Sequence, residues 1–307
     1  MNIKKFISLI IKGAGMGAAN IIPGVSGGTI ALITGIFEEL IDSIKSFDLK
    51  AVKLLFSGKL KEFAAHVNLW FLVAVFGGAV ISVFSLAILL DFLFQNYEVQ
   101  VYAFFFGLIL ASVYFVGKTI EKWKVSVIIA FIIGTAFAVM IAVLKPAAEN
   151  DSTIYLIICG VVAICSMILP GLSGSFVLLL MGNYYLIMVK AVSELNLKII
   201  IPVGIGAVGG LVAFSHLLSW VYKRFKDQTI SILTGFILGS LAVLWPWKNE
   251  IINNELTAIK GEKVVEGYEW LLPQSFNVEV FSVIALVFIG IVLIWAIEKW
   301  ASTQTAE

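Results

Sequence analysis

Charge is scarce in this chain. Aspartate, glutamate, lysine and arginine make up 13% of its 307 residues, where a soluble domain carries about a quarter. So few charges cannot cover a water-facing surface, which excludes an ordinary soluble domain. Arginine occurs once, as Arg224, and no basic block interleaved with aromatics occurs, so nothing suggests a nucleic-acid partner. The two cysteines, Cys159 and Cys165, lack CxxC spacing and sit in an apolar run; they read as small packing residues. His66 and His216 are far apart and have no metal-ligand partners beside them, so no metal or cofactor is expected. The first residues, Met1 to Ala19, imitate a secretory leader with Lys4 and Lys5 before a short apolar stretch. Lys12 interrupts that stretch and the apolar sequence continues, so no cleavage is expected.

What the chain has is apolar sequence. Hydrophobic residues make up 60% and mean hydropathy is +1.02, which points to an all-α polytopic membrane protein with a single membrane domain. Six runs, at about 69–94, 100–117, 125–144, 199–222, 229–247 and 278–298, each approach the roughly 20 residues needed to cross a bilayer. Two further stretches, about 6–41 and 152–189, are too long for one span and are interrupted by Pro, Gly and Ser. Each reads as two half-length helices meeting at a turn, a re-entrant hairpin.

The interruptions repeat. Ile22-Pro23-Gly24-Val25-Ser26-Gly27-Gly28 matches Leu169-Pro170-Gly171-Leu172-Ser173-Gly174-Ser175 at an offset of 147, and Gly35 matches Gly182 at the same offset. Looser pairs follow: Gly77-Gly78 with Gly209-Gly210, and 107–112 with 235–240. The expected organisation is therefore two repeats, 1–147 and 148–307, each a re-entrant hairpin followed by three spans. Three is odd, so the second repeat is expected to be inverted. With the N-terminus inside, fifteen of the 21 lysines and arginines fall on inside segments and six outside, as the positive-inside rule requires. Both termini are then cytoplasmic. The acidic loop 248–277 is external, flanked by Trp245, Trp247 and Trp270 as interface anchors.

The paired turns carry the chemistry. A half-helix starting inside the membrane presents free N–H groups and the positive end of its dipole. Glycine lets a ligand approach the backbone, and proline ends the preceding arm. Gly24, Ser26, Gly27, Gly28 and Thr29 with Gly171, Ser173, Gly174 and Ser175 thus read as an anion cradle. Charge-assisted hydrogen bonds of roughly 1.5–3 kcal/mol each would offset the desolvation of a phosphate. The plainer alternative is that the small residues only let helices pack closely. Glu38 and Glu39, where the second repeat has Tyr184 and Tyr185, are candidates for coupling or gating.

The segments Gly15-Met-Gly-Ala-Ala-Asn-Ile-Ile-Pro-Gly-Val-Ser-Gly-Gly-Thr29 and Met167-Ile-Leu-Pro-Gly-Leu-Ser-Gly-Ser175 resemble the bacterial polyprenyl-phosphate transporters. The resemblance spans nearly the whole chain. It implies flipping of undecaprenyl phosphate, the cell-wall carrier lipid, from the outer to the inner leaflet of the cytoplasmic membrane, without enzymatic activity. Members of that family often carry an acidic residue where this chain has Asn20, which makes Asn20 a further coupling or gating candidate. Undecaprenyl-diphosphate phosphatases have a similar turn, but theirs continues with arginine where this chain has Gly27 and Gly174, and phosphoryl transfer needs a cation or metal clamp. An inorganic-anion channel or exchanger remains the other alternative. A lipid site opens sideways to the bilayer, whereas an ion pathway is enclosed.

Overall fold

A computed structural model describes residues 3–21, 26–252, 265–273 and 275–305. Six helical segments are long and apolar enough to cross a membrane: Leu69–Leu86, Phe92–Gly117, Val125–Val143, Leu197–Arg224, Lys226–Leu244 and Val278–Ala296. They coincide with the six apolar runs of the sequence, and the protein is a multi-pass, mostly helical membrane protein.

The chain begins with α1 (Ile3–Ile21), α2 (Gly27–Ile33), α3 (Phe37–Lys45) and two short helices, α4 (Leu49–Phe56) and α5 (Leu60–His66). The first two spans form one helix, α6 (Leu69–Gly117), broken only at Tyr97 (φ −141°, ψ 41°). No loop separates them, because one residue outside the helical region suffices to redirect the chain. After α7 (Val125–Val143) come α8 (Thr153–Ile168), α9 (Gly174–Leu180), a π-helical turn (Tyr185–Lys190) and α10 (Ala191–Ser193). The closing elements are α11 (Leu197–Arg224), α12 (Lys226–Leu244), β1 (Lys248–Ile252), β2 (Val265–Trp270) and α13 (Val278–Thr305).

One expectation is corrected. The arms of the interrupted stretches are unequal. α1 and α8 have 19 and 16 residues, about 28 and 24 Å at 1.5 Å per residue, whereas α2 and α9 have seven each. The left-handed Gly35 and Gly182 (φ +72° and +74°) follow the short arms about two turns after they begin. Between the last two spans, β1 and β2 add a short antiparallel pair, Lys248 opposite Trp270. Ile251, Ile252, Val265 and Tyr268 are strand-favouring residues, and an acidic loop long enough to fold back on itself lets them pair.

Close approach through small residues sets the helix pairing. Gly13 and Gly17 of α1 lie against the backbone of Val75 and Ala79 in α6, so the two helices run parallel. Gly160 of α8 meets Val203 of α11, and Gly206 of α11 meets Ile157 of α8. Gly134 of α7 packs on Ile232 of α12, and Gly290 of α13 packs on Phe104 of α6. In each case a Cβ would collide with a carbonyl. On one rim, α3 is clasped to α11. Asp42 accepts from Lys223 (2.5 Å) and from Ser219 (2.8 Å), and the Phe37 and Tyr222 rings lie 6.4 Å apart.

Candidate functional site

The two Pro-Gly-x-Ser turns lie far apart in sequence and touch in space. Ser26 Oγ donates to the Leu169 carbonyl (3.2 Å), and the Gly171 N–H donates to Thr29 Oγ1 (3.0 Å). A Cβ on Gly28 would stand 2.7 Å from the Ile168 carbonyl oxygen. Ser26 is 2% exposed and Thr29 is fully buried. Both hydroxyls are therefore used to join the turns. Gly171 has φ +79°, and its Cβ would fall 2.6 Å from the Phe236 carbonyl carbon and oxygen of α12. Only glycine fits there, for conformation and for space. Gly24 lies outside the described residues, as do Pro23 and the loop segment 253–264 that holds Lys260, Glu262 and Lys263.

Gly27 and Gly174 face protein as well. A Cβ on Gly27 would meet Asn20 Nδ2 at 2.9 Å and the Met16 carbonyl at 3.0 Å. On Gly174 it would meet Met167 Cγ at 2.5 Å and the Ala163 carbonyl at 2.7 Å. Met16 and Ala163, like Asn20 and Met167, are themselves 147 residues apart. Bulk at these glycines thus strikes the preceding arm.

The two helix starts differ in how their N–H groups are satisfied. At α2, Asn20 Oδ1 accepts from the Gly27 N–H (2.7 Å) and Ser26 Oγ accepts from the Gly28 N–H (3.1 Å). At α9 no side chain caps the N-terminus. The counterpart of Asn20 is Met167, whose thioether is a poor acceptor. The counterpart of Thr29 is Phe176, which cannot bridge the turns. Ser173 Oγ instead faces Ser175 Oγ at 2.8 Å, and Ser175 is exposed. The α9 turn therefore presents two hydroxyls and the N–H groups of an uncapped first turn, while α2 is closed by its own chain. The sequence reading passed over Met167; the offset of 147 applied to Asn20 is the signal that identifies it.

The far ends of the short arms are matched too. Lys12 Nζ donates to the Thr34 carbonyl (2.9 Å) and Tyr155 Oη to the Met181 carbonyl (2.9 Å), carbonyls that are again 147 apart. Glu39 accepts from Asn68 Nδ2 (2.9 Å) and lies 4.0 Å from Lys5, while Glu38 is exposed on α3. Neither carboxylate is brought to the turns by any hydrogen bond among the described residues. No cluster of three or more His, Cys, Asp or Glu side chains suited to a metal occurs among those residues.

Beyond Phe236, five residues along α12, an open apolar groove of about 530 Å³ runs between Phe106 of α6 and the C-terminal ends of α7 and α12. Phe106, Val139, Leu241, Trp245, Trp270 and Leu272 are among its walls. The indole N–H groups of Trp245 and Trp270 donate to the carbonyls of Leu271 and Ala242, both at the groove, so only the ring faces remain to line it. Beside it, the Lys248 ammonium lies over the Tyr102 ring at 3.6 Å and the Tyr268 ring at 4.6 Å.

Comparison with known proteins agrees with the motif. Residues 16–264 match the family of undecaprenyl phosphate translocase-like proteins. The chain is 39% identical over 305 residues to the polyprenyl-phosphate transporter of Vibrio cholerae, covering 96% of this chain and 97% of that protein. It is 32% identical over 255 residues to the polyprenyl-phosphate transporter of Staphylococcus aureus, covering 77% and 85% respectively. No solved structure matches the chain. The chain belongs to the undecaprenyl phosphate translocase-like family.

Proposed function

We propose that the protein flips undecaprenyl phosphate from the outer to the inner leaflet of the bacterial cytoplasmic membrane, with the phosphate received at the paired turns. The observation that carries this reading is their asymmetry. Two turns of the same Pro-Gly-x-Ser-Gly pattern meet, one is capped by its own Asn20 and Ser26, and the other offers Ser173, Ser175 and uncapped N–H groups. Such a site suits a phosphate group, which brings several acceptor oxygens and a negative charge to a helix start. The remaining described residues of the motif, Ser26, Gly27, Gly28, Thr29, Gly171 and Gly174, hold the two turns at the spacing the site needs, and Gly24 belongs to the same proposed cradle by sequence. The inverted arrangement of repeats 1–147 and 148–307, with re-entrant hairpins and both termini cytoplasmic, belongs to the same proposal. It is supported by the matched contacts of Gly27 with Gly174 and of Thr34 with Met181, and by the excess of lysine on one side.

The apolar groove favours a lipid over an inorganic anion. It starts about one and a half helical turns along α12 from the turn, and its walls suit an isoprenoid tail, not a hydrated ion. The test uses the full chain in vesicles carrying a fluorescent polyprenyl phosphate and a membrane-impermeant quencher. The protein is expected to expose lipid from both leaflets and to release no phosphate from a polyprenyl diphosphate. Replacing Ser173 and Ser175 together by alanine removes two hydrogen bonds to an anion, roughly 3 kcal/mol or more, so binding should weaken about a hundredfold. Undiminished flipping by that double variant at normal membrane levels overturns the site, and rapid passage of inorganic phosphate would favour the channel.

A further inference from the structure

The α4–α5 segment takes no part in the turns, yet it combines two features that belong together only at a lipid surface. The first is an exposed apolar arc, half covered at Val52 and Leu55 and open at Leu49 and Phe56. Leu55, Val52, Phe56 and Leu49 fall within about 120° of the α4 circumference at 100° per residue. Leu49 is 89% and Phe56 86% exposed, and Leu60, across the turn at Gly58, is 62% exposed. Ala51, on another side of α4, is 2% exposed and faces the protein. The second feature is unbalanced positive charge beside that arc. Asp48 is committed to capping α4 through the Ala51 N–H (2.9 Å) and to His66 (3.0 Å), and Glu62 pairs with Lys59 (3.1 Å). Lys50, Lys53 and Lys61 form no ion pair among the described residues.

The segment is also held in a fixed attitude. The Asp48–His66 pair and the edge-on Phe47 and Phe63 rings, 6.4 Å apart, tie the start of α4 to the end of α5. Asn68, in a left-handed conformation (φ 51°), anchors the following turn to Glu39. The apolar arc and its lysines are thus presented together, away from the bundle.

We propose that α4–α5 is an interfacial docking element that lies in the headgroup layer of an anionic phospholipid leaflet. Leu49, Val52 and Phe56 enter the acyl boundary, and Lys50, Lys53 and Lys61 lie among the phosphates. Charge complementarity selects an anionic leaflet, and the proposed topology makes it the cytoplasmic one. The segment would then fix the first hairpin at a set depth in the bilayer through α3.

The test places a nitroxide on the full chain at Phe56→Cys, in a Cys159→Ala, Cys165→Ala background, in vesicles of phosphatidylcholine with and without phosphatidylglycerol. In anionic vesicles the label should be reached by oxygen and shielded from a water-soluble nickel chelate, and its immersion should weaken with added salt. Each lysine near an anionic surface is worth about fivefold. The triple change Lys50→Gln, Lys53→Gln, Lys61→Gln should therefore cut the excess of anionic over zwitterionic lipid in the motionally restricted shell tenfold or more. Lys198→Gln, on the opposite side of the membrane, should leave it unchanged. A label open to the chelate in both vesicles overturns the proposal. Immersion that ignores lipid charge and the triple change also overturns it, as does spin–spin coupling between labels, which would make a second copy of the chain the occupant. Flipping is measured separately on the same vesicles, so loss of the transport reading and loss of this one are distinguishable.

Discussion

Giving the second turn the cap that the first already has is a direct way to probe the site. In the first repeat Asn20 Oδ1 holds the Gly27 N–H at 2.7 Å. In the second, the Met167 side chain already lies over Gly174, with Cγ 2.5 Å from where a Cβ would stand. Met167→Asn puts an amide oxygen in that position, where it can accept from the Gly174 N–H. A side-chain cap of this kind contributes about 1 kcal/mol, with a range of roughly 0.5–2. A phosphate using the same N–H must displace it, so half-saturating lipid concentration should rise about fivefold, and up to thirtyfold at the top of that range. Folding should not suffer, and the melting temperature in detergent should stay level or rise. Flipping is measured against lipid concentration in vesicles, with melting followed on the same preparation. Unchanged half-saturation together with a raised melting temperature would show that the cap has formed and that phosphate does not need the α9 N-terminus, which refutes the reasoning. The reciprocal Asn20→Leu should destabilise the protein by about 1–2 kcal/mol, because it strands the Gly27 N–H.

Gly171→Ala should lower the melting temperature and membrane level sharply, since left-handed strain of about 1–2 kcal/mol adds to overlap with the Phe236 backbone. Gly58→Ala has a similar φ of +69° but nothing within 4 Å, and should show the strain alone in the same melting assay. The Asp48 carboxyl is held below the usual carboxylate range by the Ala51 N–H and by His66. Its contribution to folding is therefore present above the ordinary aspartate value near pH 4 and is lost as pH falls through the depressed value. The protection of the α4 amides, once corrected for intrinsic exchange, should fall below about pH 4 and stay level between pH 5 and 7. In whole cells an impermeant thiol reagent should label Glu262→Cys and spare Lys53→Cys; the reverse pattern removes the proposed orientation.

Much of this protein is written along one dimension. Low charge and the six apolar runs determine a multi-pass helical bundle, because a span needs only length and hydropathy, and both are local. The offset of 147 between Pro23 and Pro170 likewise showed that one device occurs twice, and the family could be recognised from it. Contacts between the two copies of the motif are not local, and only the tertiary structure decided them. Which hydroxyls are consumed follows from Ser26 reaching Leu169 and Thr29 reaching Gly171, across more than 140 residues. That a Cβ at Gly27 or Gly174 would strike the carbonyls of Met16 and Ala163 could not be told from the motif. The β1–β2 pairing and the uncovered arc of α4 also depend on what stands opposite each segment. The composition of a strand or an amphipathic turn states its preferences, but its partner in space determines which preference is met.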